Sequence, residues 1–263
     1  MIHVMVNGAC GRMGSEVVRA LAEEKDLVLT GAVDPGHAGE DAGKAAGLPA
    51  NGVVVAGSVK EALAEKKTDV VVDFTNPAVI FENAKAVIGA GVHMVIGTTG
   101  LTADQRAELA ALSEKTGGHV LIAPNFALGA VLLMDACAKI AKYLPNAEII
   151  ELHHENKLDA PSGTAKLTAE KISAARTASP VPDKTTESLP GARGAKYEGI
   201  HIHSVRLPGF VAHQEVIFGG HGEILTLRHD SLDRKSFMPG VMLACRKVVS
   251  VPGLTYGLEN YLD

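Results

Sequence analysis

The chain has 263 residues and a formal net charge of −5, with 25 lysine and arginine residues against 30 aspartate and glutamate residues. Nucleic-acid binding usually requires a basic surface, so this acidic balance argues against a nucleic-acid partner. Hydrophobic residues make up 46% of the chain, yet no segment resembles a signal peptide or reaches the roughly 18 apolar residues of a membrane span, so we expect a globular cytoplasmic protein without a membrane partner.

The three cysteines, Cys10, Cys137 and Cys245, are widely separated and form no C-x-x-C pair. A dispersed, odd number of cysteines is typical of a reducing compartment and does not form a disulfide framework. The cysteine pattern therefore also favours the cytoplasm.

The first half of the chain alternates short apolar runs with helical segments. Runs that are apolar throughout, rather than at every second residue, are typical of strands whose sheet is covered on both faces. We predict five such strands, at residues 2–6, 27–33, 70–74, 94–96 and 120–122. Two capping-box patterns mark helix starts, Ser58 with Glu61 and Thr102 with Gln105. Strands that alternate with helices predict a Rossmann-type, doubly wound parallel sheet.

The first predicted strand leads into a glycine-rich turn that opens a helix, Gly8-Ala9-Cys10-Gly11-Arg12-Met13-Gly14. Glycine permits the tight turn and lets the backbone approach a pyrophosphate, which the free amides of the helix start attract. Asp34 ends the next strand, about 20 residues past the last glycine, where a carboxylate accepts hydrogen bonds from a ribose diol. An aspartate that merely caps the turn before Pro35 is the alternative. In this context the turn predicts a site for a nicotinamide dinucleotide.

The residues after Asp34 bear on the choice of cofactor. Pro35, Gly36 and His37 provide no arginine or lysine for a 2′-phosphate, so we predict that NADH is used at least as well as NADPH. Two more turns follow parallel strands, where open α/β sheets bind ligands: Gly97-Thr98-Thr99-Gly100 and Ala123-Pro124-Asn125-Phe126. Their small residues would let nicotinamide and ribose approach the backbone, although plain strand-to-helix loops are equally compatible with the spacing.

From about residue 127 the pattern changes. We predict a helix over 128–143, a strand over 148–153, a helix over 162–176 and three strands over 200–207, 213–219 and 223–229. Glycines at 219, 220 and 222 separate the last two strands as a hairpin requires. Residues 177–194 are rich in Pro, Ser, Thr and Gly and are predicted to form a long mobile loop.

These elements predict two domains. The first is a dinucleotide-binding domain over 1–126, completed by a helical tail over 234–263. The second, over 127–233, is a substrate-binding and oligomerisation domain of the α+β class, whose open sheet is mainly antiparallel because consecutive strands lack an intervening helix.

The densest group of polar residues lies in the second domain, between Glu151 and Thr164, and includes His153, His154 and Lys157. Ser162 can cap a helix whose first free amides form an anion site. Imidazole and ammonium groups beside such a site suit a carboxylate substrate that must also be protonated. A solvated loop with incidental charges is the alternative.

A separate pair, His201 and His203, shares one face of a strand. Because no carboxylate or cysteine stands near the pair at ligand spacing, we predict no metal site there. We expect these histidines to line the substrate cavity or a subunit contact.

The stretch His153-His154-x-x-Lys157-x-Asp-Ala-Pro-Ser-Gly-Thr-Ala165 is similar to the signature of the dihydrodipicolinate reductase family of the lysine pathway, also called 4-hydroxy-tetrahydrodipicolinate reductases. Matches extend over nearly the whole chain: the turn at 8–14, Asp73-Phe74-Thr75, 97–100, Asn125-Phe126, 199–206 and 234–240. The resemblance implies a two-domain enzyme, usually a homotetramer, that reduces a cyclic imine dicarboxylate with NADH or NADPH.

Carried over by position, the resemblance implies that His153 and Lys157 are the catalytic pair, with His153 as the first choice for the general acid. It implies substrate contacts at His154, Gly163, Thr164 and Thr99. The cofactor contacts it implies are Gly8, Ala9, Cys10, Gly11, Arg12, Met13, Asp34, Gly97, Thr98, Thr99, Ala123, Pro124, Asn125 and Phe126. The chain departs from many relatives at Pro35, where they have an arginine, and at Pro124, where a small residue is common.

Two other functions are compatible with parts of the chain. Another two-domain dehydrogenase, of the aspartate or homoserine type, would account for the first half but would leave the His-His-x-x-Lys stretch without a role. A noncatalytic NAD-sensing regulator would be expected to lack His153 or Lys157, and both residues are present.

Overall fold

The computed structural model describes residues 1–262 and divides the chain into two compact units. One unit contains Met1–Phe126 together with the tail from Phe237 onwards, and the other contains Ala127–Ser236. No helix within residues 1–262 is long and apolar enough to cross a membrane.

Twelve strands are present within the described residues. They are β1 (Ile2–Asn7), β2 (Leu27–Val33), β3 (Val55–Ala56), β4 (Val70–Asp73), β5 (His93–Ile96), β6 (Val120–Ile122), β7 (Asn146–His153), β8 (Ala195–Tyr197), β9 (Ile200–Arg206), β10 (Ala212–Gly219), β11 (Ile224–Ser231) and β12 (Leu254–Tyr256). They form two separate sheets, one in each unit.

Eight α-helices accompany the strands in the same range, with short 3₁₀ turns at Pro35–His37, Arg234–Phe237 and Leu258–Tyr261. The helices are α1 (Arg12–Leu21), α2 (Ala42–Ala45), α3 (Val59–Glu65), α4 (Ile80–Gly89), α5 (Ala103–Thr116), α6 (Leu128–Ala141), α7 (Gly163–Ala175) and α8 (Met238–Val248). At α5 both halves of the predicted capping box form, whereas at α3 the structure shows the serine half, in which Ser58 Oγ accepts from the Glu61 amide.

The sheet of the first unit has the order β3-β2-β1-β4-β5-β6-β12, and every pairing in it is parallel. The chain adds strands outward from β1 to β3 and then returns to place β4 on the other side of β1, which is the strand order of doubly wound dinucleotide-binding folds. The Rossmann-type prediction is therefore confirmed. The five predicted strands all form. The tail predicted to be helical contains α8 but also the strand β12, so the prediction of a wholly helical tail is wrong.

The second unit contains a five-stranded sheet of order β11-β10-β7-β9-β8. Three pairings are antiparallel and one, β7 with β9, is parallel, which confirms a mainly antiparallel sheet. Helices α6 and α7 cover one face, where Cys137 and Ile172 pack with Ile149, Val216 and Phe218 of the strands. The predicted hairpin joins β10 and β11, with the Gly220 amide donating to the Glu223 carbonyl at 3.0 Å.

The segment 177–194 contains no helix or strand, as expected. Its polar groups are nevertheless hydrogen-bonded: Glu187 accepts from the amides of Gly191 and Arg193 at 2.9 and 2.8 Å, and the Val181 amide donates to Asn146 at 2.7 Å. The mobility of the segment stays a prediction.

Candidate active site

The glycine turn after β1 is built so closely that side chains do not fit. A Cβ atom at Gly14 would lie 1.9 Å from the Gly8 carbonyl oxygen, and one at Gly8, whose φ is +78°, would lie 2.6 Å from the Phe74 oxygen. The amides of Gly8 and Ala9 donate to the Val33 carbonyl at 2.9 and 3.0 Å. The backbone thus forms a tight glycine turn at the start of α1, the arrangement that dinucleotide-binding folds use to bring a pyrophosphate to the helix N-terminus.

Asp34 lies beside this turn at the end of β2. Its Oδ2 accepts from the Cys10 amide at 3.2 Å, and its Oδ1 accepts from the Gly36 amide at 3.1 Å. The bond from Gly36 is the capping role considered as an alternative, and the bond from Cys10 fixes the carboxylate against the glycine turn. Burial, together with the negative charge of Asp34, raises the pKa of Cys10 to about 11, so this thiol is not a nucleophile at neutral pH.

A buried carboxylate to which the sequence analysis assigned no role, Asp73, connects three strand ends. Asp73 is fully buried at the end of β4. Its oxygens accept from Asn7 Nδ2, Thr75 Oγ1 and Thr98 Oγ1, each at 2.7 Å. These bonds hold the turns after β1, β4 and β5 together at the carboxyl edge of the sheet, where ligands bind in this fold.

The structure brings the two later turns together. Residues of the 97–100 turn and of the 123–126 turn line one small recess with Arg106 and Tyr256. Gly97 lies against the Phe74 ring, because a Cβ atom there would be 2.0 Å from Cε1 of that ring. Phe74 in turn packs edge-on against Phe126, with ring centroids 5.7 Å apart. Gly97 is therefore required by packing, independently of any ligand.

In the second unit, His153 lies at the end of β7 with its ring held by Glu151. The two residues are two apart on the strand and share a face, and His153 Nδ1 lies 2.5 Å from Glu151 Oε2. Glu151 is fully buried, whereas the His153 side chain is 13% exposed. A carboxylate bonded to Nδ1 keeps the proton on that nitrogen and leaves Nε2 to face a ligand.

Arg206 completes this group. Its two terminal nitrogens donate to the two Glu151 oxygens at 2.9 and 2.8 Å, and one also donates to the Asp159 carbonyl at 2.7 Å. The Ser162 amide donates to Glu151 at 3.2 Å. Sequence reasoning assigned no role to Glu151 or Arg206. The signal that could have found Glu151 is its i, i+2 spacing to His153.

These contacts set the charge of the group. Burial by itself raises the pKa of Glu151, but hydrogen bonds from His153 and Arg206 outweigh this effect and lower its pKa to about 2. Lys157 Nζ donates to Asp159 Oδ1 at 2.7 Å, and this bond lowers the pKa of Asp159. The structure thus places an imidazole and an ammonium group on a frame of ionised carboxylates.

The helix start predicted to receive an anion is formed as expected. Ser162 caps α7 by accepting from the Ala165 amide at 3.2 Å. Gly163 and Thr164 occupy the first turn, and a Cβ atom at Gly163 would meet nothing within 4 Å. His154 is half-buried directly after β7.

His201 and His203 lie elsewhere in the unit and are bonded to carboxylates. His203 Nε2 lies 2.8 Å from Glu148, and His201 Nε2 lies 3.1 Å from Asp183. Across residues 1–262, no group of three or more histidine, cysteine or acidic side chains is placed to hold a metal ion.

Comparison with known proteins gives a consistent picture over the whole chain. The family model for the N-terminus of dihydrodipicolinate reductase matches residues 2–126, and that for the C-terminus matches residues 129–262. The 4-hydroxy-tetrahydrodipicolinate reductase of Moorella thermoacetica is 48% identical, and the match covers 100% of this chain and 98% of the relative. That of Listeria monocytogenes serotype 4b is 51% identical, and the match covers 100% of both chains.

A solved structure supports the same family assignment. The dipicolinate-bound dihydrodipicolinate reductase from Paenisporosarcina sp. TG-14 is 42% identical and superposes with a TM-score of 0.89 over 99% of both chains. Neither an aspartate or homoserine dehydrogenase nor a noncatalytic regulator would account for matches to one reductase family over both units. The chain belongs to the dihydrodipicolinate reductase family.

Proposed function

We propose that this protein catalyses the NAD(P)H-dependent reduction of 4-hydroxy-tetrahydrodipicolinate to tetrahydrodipicolinate, in the diaminopimelate route to lysine. The observation that carries the proposal is the buried Glu151 carboxylate, which bonds His153 Nδ1 and also accepts from the amide of Ser162, the cap residue of α7. The names of the full-length relatives support it. The test is NADH oxidation with enzymatically generated substrate, and folded protein that fails to oxidise NADH in this assay would contradict the proposal.

The first unit fits a nicotinamide dinucleotide. The glycines at 8 and 14 let the turn pack against its own backbone and that of Phe74, and this tight turn leads into the start of α1, where free amides attract a phosphate. We assign the remaining contacts to Ala9–Met13, to Asp34 for the ribose and to the turns at 97–99 and 123–126. When bound, this cofactor supplies the hydride for the reduction.

His153 is our assignment for the general acid. Loss of the substrate's 4-hydroxyl as water gives a conjugated C=C–C=N system, and its reduction leaves an electron-rich enamine that must gain a proton. With Nδ1 held by Glu151, the proton would leave from Nε2 when the imidazole is protonated. Lys157 would bind the substrate and stabilise negative charge as it develops.

We infer that the substrate carboxylates bind at the start of α7. The amides of Gly163 and Thr164 belong to the first turn of the helix, where free N–H groups attract anions. The open space at Gly163 leaves room for a carboxylate to reach these amides. His154 and Thr99 are the further substrate contacts that we propose.

The choice of cofactor is a separate expectation. Asp34 is followed by the 3₁₀ turn Pro35–His37, which contains no arginine or lysine for a 2′-phosphate. A carboxylate there repels that phosphate and accepts the free ribose hydroxyls of NADH. We expect kcat/KM for NADH to equal or exceed that for NADPH in steady-state assays. A large advantage for NADPH would show that Asp34 does not select the cofactor.

We also propose that the enzyme is a homotetramer assembled through its second unit. Helices cover only one face of that sheet. Apolar side chains at alternate positions, including Ile150, Leu152 and Ile217, point to the opposite face and remain partly exposed. We expect analytical ultracentrifugation to give about four times the chain mass of 27.4 kDa. A monomer at assay concentration would contradict this assembly.

We place the enzyme in the cytoplasm. Cys10, Cys137 and Cys245 are all free thiols, as in proteins of reducing compartments. Recovery of the native enzyme from a secreted or periplasmic fraction would contradict this assignment.

A further inference from the structure

Arg206 ends β9 on the helix-covered face of the second sheet. Ile200 and Ile202 of the same strand belong to the apolar cluster beneath α6 and α7, and strand residues an even number apart share a face. The parallel pairing of β7 with β9 aligns Arg206 with His153. The Arg206 side chain is 19% exposed, whereas that of Glu151 is fully buried. The guanidinium therefore approaches the buried carboxylate from the strand beside the one that carries the histidine.

Each oxygen of Glu151 is shared between Arg206 and one part of the candidate active site. Oε2 accepts from Arg206 Nη1 at 2.9 Å and lies 2.5 Å from His153 Nδ1. Oε1 accepts from Arg206 Nη2 at 2.8 Å and from the Ser162 amide at 3.2 Å. One ion pair thus holds both the imidazole and the start of α7.

Arg206 also reaches the segment that carries Lys157. Its Nη2 donates to the Asp159 carbonyl at 2.7 Å, and the Asp159 carboxylate accepts from Lys157 Nζ at 2.7 Å. Residues 154–162 form neither a helix nor a strand. The position of the ammonium group therefore depends on bonds such as these rather than on a regular element.

The charge of Arg206 bears on the ability of His153 to act as an acid. Glu151 is ionised at neutral pH, because its pKa is about 2. An ionised carboxylate next to an imidazolium stabilises the protonated ring and so opposes proton release. A general acid must nevertheless give up its proton in each turnover. A guanidinium on the same two oxygens offsets the negative charge and weakens this opposition.

Other titratable groups near His153 do not offset the Glu151 charge. On the segment after β7 and on β10, which flank the ring, these groups are His154, Lys157, Asp159 and His213. Lys157 and Asp159 are bonded to each other, and His213 points to the opposite face, where it is bonded to Asp230. The first turn of α7, residues 163–165, is uncharged.

We propose that Arg206 is a positioning residue with two actions on the candidate active site. Its charge offsets that of Glu151, which allows His153 to release the proton on Nε2. Its bond to the Asp159 carbonyl holds the segment that carries Lys157. In the proton transfer the Nε2–H bond breaks, a C–H bond forms on the enamine carbon, and the ring is left neutral with its proton on Nδ1. The assignment rests on the proposed function, because it concerns the same general acid.

Two substitutions in the full-length protein separate the two actions. Arg206→Gln removes the charge, whereas Arg206→Lys keeps the charge but presents one nitrogen in place of a planar fork. An NMR titration of the His153 ring, assigned by comparison with His153→Gln, measures the pH at which half of the rings are protonated. We expect this midpoint to rise by about one pH unit in Arg206→Gln, since a nearby positive charge no longer disfavours the protonated ring. In Arg206→Lys it should stay close to the parental value.

Steady-state kinetics test the same variants with substrate. The alkaline limb of kcat/KM should move to higher pH in Arg206→Gln together with the NMR midpoint. Its kcat at neutral pH should fall by about three- to tenfold, because a weaker acid releases its proton more slowly. In Arg206→Lys, KM for the substrate should rise by about five- to tenfold, the effect of one lost hydrogen bond, and kcat should change less.

A matched control comes from the first unit. Arg246 also bonds two carboxylates, those of Glu24 and Asp26. Arg246→Gln therefore loses the same kind of ion pair away from the candidate active site. It should leave the His153 midpoint and the KM for the substrate at their parental values.

The outcomes are distinct. An unchanged or lower midpoint in folded Arg206→Gln overturns the action of the charge, and a parental KM in Arg206→Lys overturns the action of the bond. If Arg206→Gln does not fold, Arg206→Lys decides: a parental midpoint supports the action of the charge and a raised midpoint overturns it. A parent protein that shows the expected titrations but oxidises no NADH contradicts the reductase activity alone, because the titration involves no substrate.

Discussion

Replacing His153 with glutamine is expected to lower kcat by about 10²–10⁴-fold, the range contributed by a positioned general acid. Glutamine is close to histidine in size and can still accept a bond or donate one, but it cannot deliver a proton at neutral pH. Because His153 lies on β7 of the second unit and the glycine turn lies in the first, the Kd for NADH should change little. Stopped-flow kcat measurements and fluorescence titration with NADH check the two expectations.

Lys157→Ala provides the comparison for this variant. Lys157 is held by Asp159 and is assigned to substrate binding, so its loss should raise KM as well as lower kcat. If both variants turn over substrate at nearly the parental rate, the assignment of the active site to this part of the second unit is wrong.

The second large effect is expected for Glu151→Gln. The substitution removes the charge that neutralises Arg206 and replaces the acceptor at His153 Nδ1 with an amide. Because Glu151 is buried but the Arg206 side chain is 19% exposed, we expect a cost at the lower end of the roughly 3–5 kcal/mol for breaking a buried ion pair. Because the ring loses its preferred tautomer, we also expect kcat to fall by at least about 100-fold. Chemical denaturation measures the first effect and steady-state kinetics the second.

The chain supplies a matched control for this variant. Glu148 lies on the same strand, β7, and is likewise bonded to an arginine, Arg193, and a histidine, His203. It is three residues from Glu151 and therefore lies on the opposite face of the sheet. Glu148→Gln should leave kcat near the parental value. An equal loss of kcat in both variants would mean that the Glu151 effect is a general one on folding.

The Glu151 carboxylate also makes the stability of the protein depend on pH. Its pKa is lowered from 4.5 to about 2 in the folded protein, so its contribution is fully present above the unfolded pKa. The contribution is lost as pH falls from about 5 to about 2, and it amounts to about 3 kcal/mol. Denaturation midpoints of the parent should therefore drop over this interval. Those of Glu151→Gln should drop less, because the variant lacks the titrating group.

Much of the fold was readable from the sequence because its strongest signals are local. Continuous apolar runs marked β1, β2, β4, β5 and β6, and the Ser162 cap marked α7. The strands β3, β8 and β12 were missed since each has only two or three residues and exists through pairing with a neighbouring strand. In β12, Leu254–Tyr256 forms a strand because β6 offers it an edge, which no local pattern in the tail indicates.

The candidate active site was likewise predicted only where its residues stand close together in the sequence. The residues that stand in consecutive motifs, such as His153 and Lys157, were found from sequence. The contact of Glu151 with Arg206 was not, because it depends on the register of β9 against β7, which aligns His153 with Arg206. A parallel pairing between strands separated by almost fifty residues is set by the packing of the whole unit. The buried Asp73 network was missed for a related reason, since its partners come from three different strands.

The Asp73 network has a thermodynamic consequence for ligand binding. A carboxylate that joins Asn7, Thr75 and Thr98 restricts three loop segments before any ligand arrives. Loops that are ordered in advance do not lose conformational entropy on association, so more of the contact energy appears as affinity. A single aspartate at the end of β4 thus acts as a preorganising element for the ends of β1, β4 and β5, although it need not touch the ligand itself.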